Sequence, residues 1–204
     1  MAPATRVSVG GRTLSVSNLD KVLYPETGFT KGEVIHYYSS VAAAMLPHLA
    51  GRCITLRRWP DGVDATSFFE KRCPSHRPDW VPVSVGPGNE SERSSKRGGD
   101  TSPIPYCRIE EQAALVWTAN LAALELHAPM AKADSLDTPT TLVFDLDPGE
   151  PATIVECAQR ALDMREVFDL IGLQSFAKTS GSKGMQVYVP LNTPTTHHDC
   201  ADFA

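Results

Sequence analysis

Residues 142–150, Leu-Val-Phe-Asp-Leu-Asp-Pro-Gly-Glu, place two aspartates one residue apart inside an otherwise apolar run. Alternation along a strand puts Asp145 and Asp147 on one face, about 7 Å apart, with Leu142, Phe144 and Leu146 on the other. Two neighbouring carboxylates repel unless a cation lies between them, and a divalent metal with oxygen ligands removes that conflict. A strand end whose acids simply face water before the Pro-Gly turn is the competing reading, so the surrounding sequence has to decide.

The chain has 204 residues, 42% of them hydrophobic, enough for one large domain or two smaller parts. Its formal charge of −5 excludes a globally basic nucleic-acid binder, so a polyanion would have to meet a local patch. Five cysteines without C-x-x-C spacing argue against a disulfide framework and against a cysteine-rich zinc site. The N-terminal residues lack the apolar core of a signal peptide and no apolar run reaches membrane-spanning length. The expectation is a soluble, reduced, cytoplasmic protein that contacts no membrane.

The two alternating runs of residues 6–17, joined by Gly10-Gly11, predict a hairpin. Thr30 and Glu33 stand in capping-box spacing ahead of a helix carrying Val34, Tyr38, Val41, Met45 and Leu49 inward and stopping at Gly51. Residues 53–59 and 65–71 read as strands. Residues 84–103, rich in Gly, Ser, Pro and charge, read as an exposed loop. A helix over 109–124, with Leu115, Ala119 and Leu124 inward, runs into a short strand at 125–129. After the aspartate strand, residues 153–172 form a long helix ending at Gly172, and Gln174–Lys178 resumes an extended chain. Strand, helix, strand is a crossover unit, and such sheets hold ligands at the strand ends.

Beyond that strand comes Thr-Ser-Gly-Ser-Lys-Gly, residues 179–184. Gly181 and Gly184 permit turns whose amides converge on an anion, Ser180 and Ser182 add hydroxyls, and Lys183 adds a charge suited to phosphate. Alone this pattern is weak and reads more readily as a polar hairpin turn. One crossover from paired aspartates, it supplies the phosphate cradle that metal-assisted nucleotidyl transfer needs.

Five motifs in one order carry a resemblance: "NLDKVLYPETGFTKGEVIHYY" (18–38), "RRWPDGVDATSFFEK" (57–71), "LELHAP" (124–129), "LVFDLDPG" (142–149) and "TSGSKG" (179–184). Together they resemble the polymerase domain of bacterial ATP-dependent DNA ligase D, an archaeo-eukaryotic primase-like module of non-homologous end joining, over residues 14–192. The resemblance implies an α/β primase-like fold with a mixed central sheet and crossover helices, and addition of nucleotides, often ribonucleotides, to DNA ends. Manganese is the implied metal, with magnesium a substitute.

By position, Asp145 and Asp147 correspond to catalytic, metal-binding aspartates. His127 corresponds to a triphosphate contact, Ser180 and Lys183 to the phosphate-holding pair, and Arg57 and Arg58 to a basic pair at the cleft. Asn18, Lys21 and Lys31 correspond to a pocket for the 5′-phosphate of a DNA end, with Phe68 and Phe69 packing on the DNA. The residues themselves leave simpler roles open: solvated lysines for Lys21 and Lys31, and a structural histidine for His127. Adjacent Phe68 and Phe69 point to opposite strand faces, one core and one exposed, and Arg57 and Arg58 alternate likewise, so only one need reach the cleft.

Implied partners are DNA ends bearing a 5′-phosphate, nucleoside triphosphates, a DNA ligase and an end-binding repair protein, in a nucleoid-associated setting. Residues 1–110 would carry the DNA-end motifs and 111–204 the catalytic core.

Two departures stand out. Met185-Gln186 occupies the place where the family has a hydrophobic residue and histidine. The family also uses a third aspartate on a later strand, whereas residues 193–204 read as a beginning helix whose Asp199 and Asp202 are poor substitutes. The chain is therefore expected to be a C-terminally shortened homologue or fragment, with apolar surface at Val187 and Val189 partly uncovered. Two alternatives are weighed: a catalytically dead DNA-end-binding fragment, and a haloacid dehalogenase-like phosphatase, whose D-x-D strand the 142–150 stretch imitates.

Overall fold

The computed structural model describes residues 4–88 and 102–204, arranged as two compact units, Met1–Pro129 and Met130–Ala204. In the first unit, β1 (Thr5–Val9) and β2 (Arg12–Val16) form the expected hairpin, Gly10 and Gly11 taking φ of 55° and 79° at the turn. β3 (Val22–Tyr24) pairs with β4 (Phe29–Thr30), which leads directly into α1 (Lys31–Leu49). The capping box forms: Thr30 accepts from the Glu33 amide and Glu33 from the Thr30 amide. The helix buries Val34, Tyr38, Ala42 and Leu49. Val41 and Met45, predicted inward, are only half-buried, because the stripe drifts onto Ala42 as 3.6-residue turns accumulate.

β5 (Thr55–Arg58) is the central strand of a three-stranded antiparallel sheet, between β6 (Phe68–Glu70) and β9 (Ala123–His127). β7 (Val83–Gly86) pairs with β8 (Ile104–Cys107), so residues 84–86 are strand where a loop was expected; residues 89–101 of that stretch lie outside the described ones. α2 (Gln112–Asn120) is buried over Ala113–Ala119, an all-round apolar core helix against α1. It ends earlier than the apolar pattern predicts, because Ala122 takes φ 55°, and Leu124 belongs to β9. α2 and β9 are thereby built into the first unit, which closes at Pro129. The buried Tyr38 hydroxyl donates to Ala123 O at 2.8 Å, tying α1 to β9.

The expectation of reduced cysteines is corrected here. Cys73 and Cys107, 34 residues apart with Cα atoms 4.8 Å apart, are disulfide-bonded, while Cys53, Cys157 and Cys200 are buried outside any disulfide among the described residues. Spacing rules read only local patterns, and this pair meets through β8.

In the second unit β10 (Ala131–Lys132) pairs with β11 (Ser135–Pro139). β12 (Thr141–Leu146), α3 (Ile154–Leu170), β13 (Phe176–Thr179) and β14 (Met185–Pro190) build the crossover, and α4 (His197–Phe203) follows. The strand order is β12-β14-β13, both pairings antiparallel. β12 and β13 thus run parallel on either side of β14, the form in which the crossover survives. Every pairing among the described residues is antiparallel, where a mixed sheet was expected. Leu142, Phe144 and Leu146 pack with Val187, Val189, Ala161 and Phe168 between sheet and helix. Val187 and Val189 are each only 1% exposed, correcting the expectation of uncovered apolar surface. As the central strand, β14 has its apolar face covered by α3.

Candidate functional site

The opposite face of the second-unit sheet carries the polar chemistry. Asp145 lies opposite Gln186 on β14, and Gln186 opposite Lys178 on β13, so the three side chains form a row across the sheet. Asp145 and Asp147 are both exposed, and neither forms an ion pair among the described residues. The Tyr188 hydroxyl donates to Gln186 Oε1 at 2.7 Å, orienting the amide that stands where the family has histidine.

The 179–184 segment closes onto the aspartate strand. Ser180 N donates to Gly184 O at 2.9 Å, and the amides of Gly184 and Ser182 donate to Ser180 Oγ at 3.2 and 3.4 Å. Ser180 therefore spends its lone pairs shaping the loop, leaving its hydroxyl proton to donate. Gly184 lies so close to β12 that a Cβ there would overlap Leu146 O and sit 2.9 Å from Asp147 Oδ1. Lys183 Nζ donates to Pro148 O at 3.3 Å, and Lys183 and Ser182 line a 390 Å³ cavity with Pro148, Glu150 and Thr153. The amino end of α3 beside it already holds an anion: Glu156 accepts from the Thr153 amide and hydroxyl, which hold its carboxyl below the usual range.

Two exposed carboxylates fit a hard divalent ion that keeps several waters and takes further oxygens from substrate phosphates. Among the described residues no group of three or more His, Cys, Asp or Glu side chains could hold a metal. Asp199 is engaged elsewhere, as the capping acid of α4, accepting from the Thr196 amide and hydroxyl. His197 contacts Leu136 O, and His198 faces Asp202.

In the first unit a 510 Å³ cavity is lined by Asn18, Lys21, Lys31, Arg58, His76 and Trp117, among others. Local geometry explains the convergence. Asn18 takes φ 54° and its carbonyl accepts from Lys21 N at 3.0 Å, while Lys31 N donates to Lys21 O at 2.8 Å. This ties the Asn18–Lys21 turn to the start of α1. Lys31 is 6% exposed and Nζ donates to Ser17 O at 2.7 Å. Burial, then the neighbouring Lys21 and Arg58 charges, lower its pKa from 10.5 to about 8. Lys21 Nζ pairs with Asp61 at 2.7 Å.

Arg57 and Arg58 part company, as alternation requires. Arg58 shares the core-side face with Leu56. It donates to Leu121 O at 2.9 Å, pairs with Glu70 at 2.8 Å and lies 5.3 Å from the Phe68 ring, reaching the cavity of Lys21 and Lys31. Arg57 occupies the outer face with Glu125, His127 and Phe69. Its Nη1 is 3.2 Å from Glu125 Oε1, its Nε donates to Ser67 at 3.0 Å, and it lies over the Trp59 and Phe69 rings. Phe68 and Phe69 are 44% and 58% exposed, so neither is core, correcting the expected split. β6 is an edge strand, and both its faces are open at that end.

Sequence reading missed Glu125, Asp61 and His76. Glu125 is legible in retrospect as the residue two before His127 on a strand, hence on its face; Asp61 and His76 carry no such signal.

A D-x-D strand held by a small phosphate-type loop in the second unit, and a cationic cavity in the first, are the features of a primase-like architecture. The chain belongs to the LigD primase-polymerase domain family, which matches residues 30–204. It is 42% identical over 184 residues to the multifunctional non-homologous end joining protein LigD of Mycolicibacterium smegmatis, covering 88% of this chain and 22% of that protein. It is 40% identical over 197 residues to the corresponding Mycobacterium tuberculosis repair protein, covering 93% and 24%. The chain thus spans about a quarter of the length of these relatives. The solved polymerase domain of M. tuberculosis ligase D in complex with DNA superposes with a TM-score of 0.77 at 39% identity, covering 90% of this chain and 63% of that one. Family membership displaces the dehalogenase-like phosphatase alternative. No helix among the described residues is long and apolar enough to cross a membrane.

Proposed function

We propose that this chain is a nucleotidyltransferase module of bacterial end-joining repair, adding nucleotides at DNA ends that bear a 5′-phosphate. The observation that carries the reading is the closure of the 180–184 loop onto Asp147, which brings two unpaired carboxylates and Lys183 to one end of a sheet. Asp145 and Asp147 hold the divalent ion, manganese in preference to magnesium. When bound, that ion neutralises charge developing at the reacting phosphate. Lys183 and the Ser180 and Ser182 hydroxyls hold phosphate in the second unit, and Arg57 and His127 offer phosphate donors of their own in the first. Asn18, Lys21, Lys31 and Arg58 grip the 5′-phosphate through charge-assisted hydrogen bonds, and Phe68 and Phe69 offer faces on which exposed bases stack.

End binding falls to residues 1–110 and the catalytic core to 111–204, Arg57 excepted. A DNA ligase and an end-binding protein act as partners at the break, on the nucleoid. The M. tuberculosis neighbour solved with DNA supports the DNA-binding half of the reading.

The test is manganese-dependent nucleotide incorporation on gapped DNA with a 5′-phosphate, lost in Asp145→Ala. A second reading, end binding without catalysis, is favoured by the two-carboxylate donor set, since no third ligand joins it among the described residues. Incorporation indistinguishable between wild type and Asp145→Ala rejects the first reading. No incorporation by either protein, with 5′-phosphate preference retained, leaves the second.

A further inference from the structure

We propose that Glu125 is a positioning residue for anion binding: its carboxylate fixes His127 as an Nε2–H donor and sets the orientation of Arg57. The inference rests on the reading of Arg57 and His127 as phosphate donors.

The geometry is specific. Glu125 and His127 lie two apart on β9 and so share a face; Arg57 is the cross-strand partner of Glu125. Glu125 Oε2 stands 2.9 Å from His127 Nε2, while Arg57 Nη1 reaches Oε1 and Oε2 at 3.2 and 3.3 Å. One carboxylate therefore holds both the Arg57 guanidinium and the His127 ring. A carboxylate can only accept, so the ring nitrogen facing it must carry the proton. Arg57 is held from its other sides by Ser67 at 3.0 Å and by the Trp59 and Phe69 rings, and Phe69 packs edge-on to His127 at 5.3 Å. Tyr24 on β3 and Tyr38 on α1 also feel the Glu125 charge, Tyr38 after burial and its tyrosine neighbours, and Tyr37 on α1 acts on Tyr24. The Tyr24 phenol is pushed up by burial, then by Glu125 and Tyr37.

A bare negative charge beside an anion site would weaken binding. A carboxylate already engaged by two donors instead holds them in place, so that less ordering remains when a phosphate arrives. The two effects have opposite signs, which makes the inference decidable.

The experiment measures binding of ATP with manganese to the full chain by calorimetry, and the His127 ring nitrogens by ¹⁵N NMR at alkaline pH, where imidazole is neutral. Glu125→Gln should weaken ATP binding about tenfold, the scale of a charge-assisted contact. In a His127→Ala, Arg57→Ala background the same change should cost less than about twofold, since its targets are gone. The wild-type ring should show Nε2 protonated, and Glu125→Gln should mix the tautomers. Unchanged or tighter ATP binding in Glu125→Gln overturns the inference, as does an unaltered ring signature. If the His127→Ala, Arg57→Ala protein binds ATP like wild type, the face is no triphosphate site and the proposal falls with that reading. Loss in that protein but not in Glu125→Gln defeats the inference about Glu125 alone.

Discussion

Replacing Gly184 with alanine tests whether the 180–184 loop places Asp147. The added methyl would overlap the Leu146 carbonyl and lie 2.9 Å from Asp147 Oδ1, against an ordinary contact distance of about 3.4 Å or more. The obstacle at Leu146 is backbone, so a side-chain rotation alone cannot relieve it. Either the loop or the end of β12 must move, by roughly 1 Å. Overpacking of this kind costs about 1–3 kcal/mol, or about 4–8 °C in Tm for a 2 kcal/mol loss in a chain of this size. The functional loss should be larger than the stability loss suggests, because a 1 Å misplacement near reacting groups can cost about a hundredfold. Gly149→Ala is the matched control for stability, since a Cβ there meets open space. Thermal melts and manganese-dependent incorporation on gapped DNA would be compared for both variants. Wild-type Tm and incorporation in Gly184→Ala would refute the placement of the loop against Asp147.

The lowered Lys31 pKa gives end binding a pH dependence. Phosphate is held by the protonated amine, so preference for 5′-phosphate over 5′-hydroxyl DNA should fall up to about tenfold per unit as pH rises through about 8. Lys31→Met should abolish both the preference and its pH slope in anisotropy titrations. For stability the sign is opposite: the folded state binds fewer protons than the unfolded between about 8 and 10.5, so the cost of burying this charge is full below about 8 and fades across that window. Lys21→Ala should reduce 5′-phosphate preference and lower the salt slope by about one. Asp61→Asn should instead strengthen binding, by releasing Lys21 from its 2.7 Å ion pair; weaker binding would show that Asp61 positions the lysine.

Several features were legible because they are local. The Gly10-Gly11 hairpin, the Thr30–Glu33 capping box, and the polar and apolar faces of β12 follow from turn geometry and from side-chain periods of 3.6 and 2. The separation of Arg57 from Arg58 follows from the same alternation. Which of the two meets Lys31 did not, because that depends on which face of β5 the core covers, and the core is assembled by α1 and α2 from residues far apart in the chain. The same limit hid the Cys73–Cys107 bond, the burial of Val187 and Val189 under α3, and the exposure of both Phe68 and Phe69. An edge strand and a central strand can carry the same alternation; only strand order distinguishes them. So the sequence alone determined the chemistry available, two carboxylates and a lysine loop, while tertiary packing decided that Gly184 presses on Asp147 and that Glu125 joins Arg57 to His127. Those contacts are set by register across strands, which no single stretch of chain encodes.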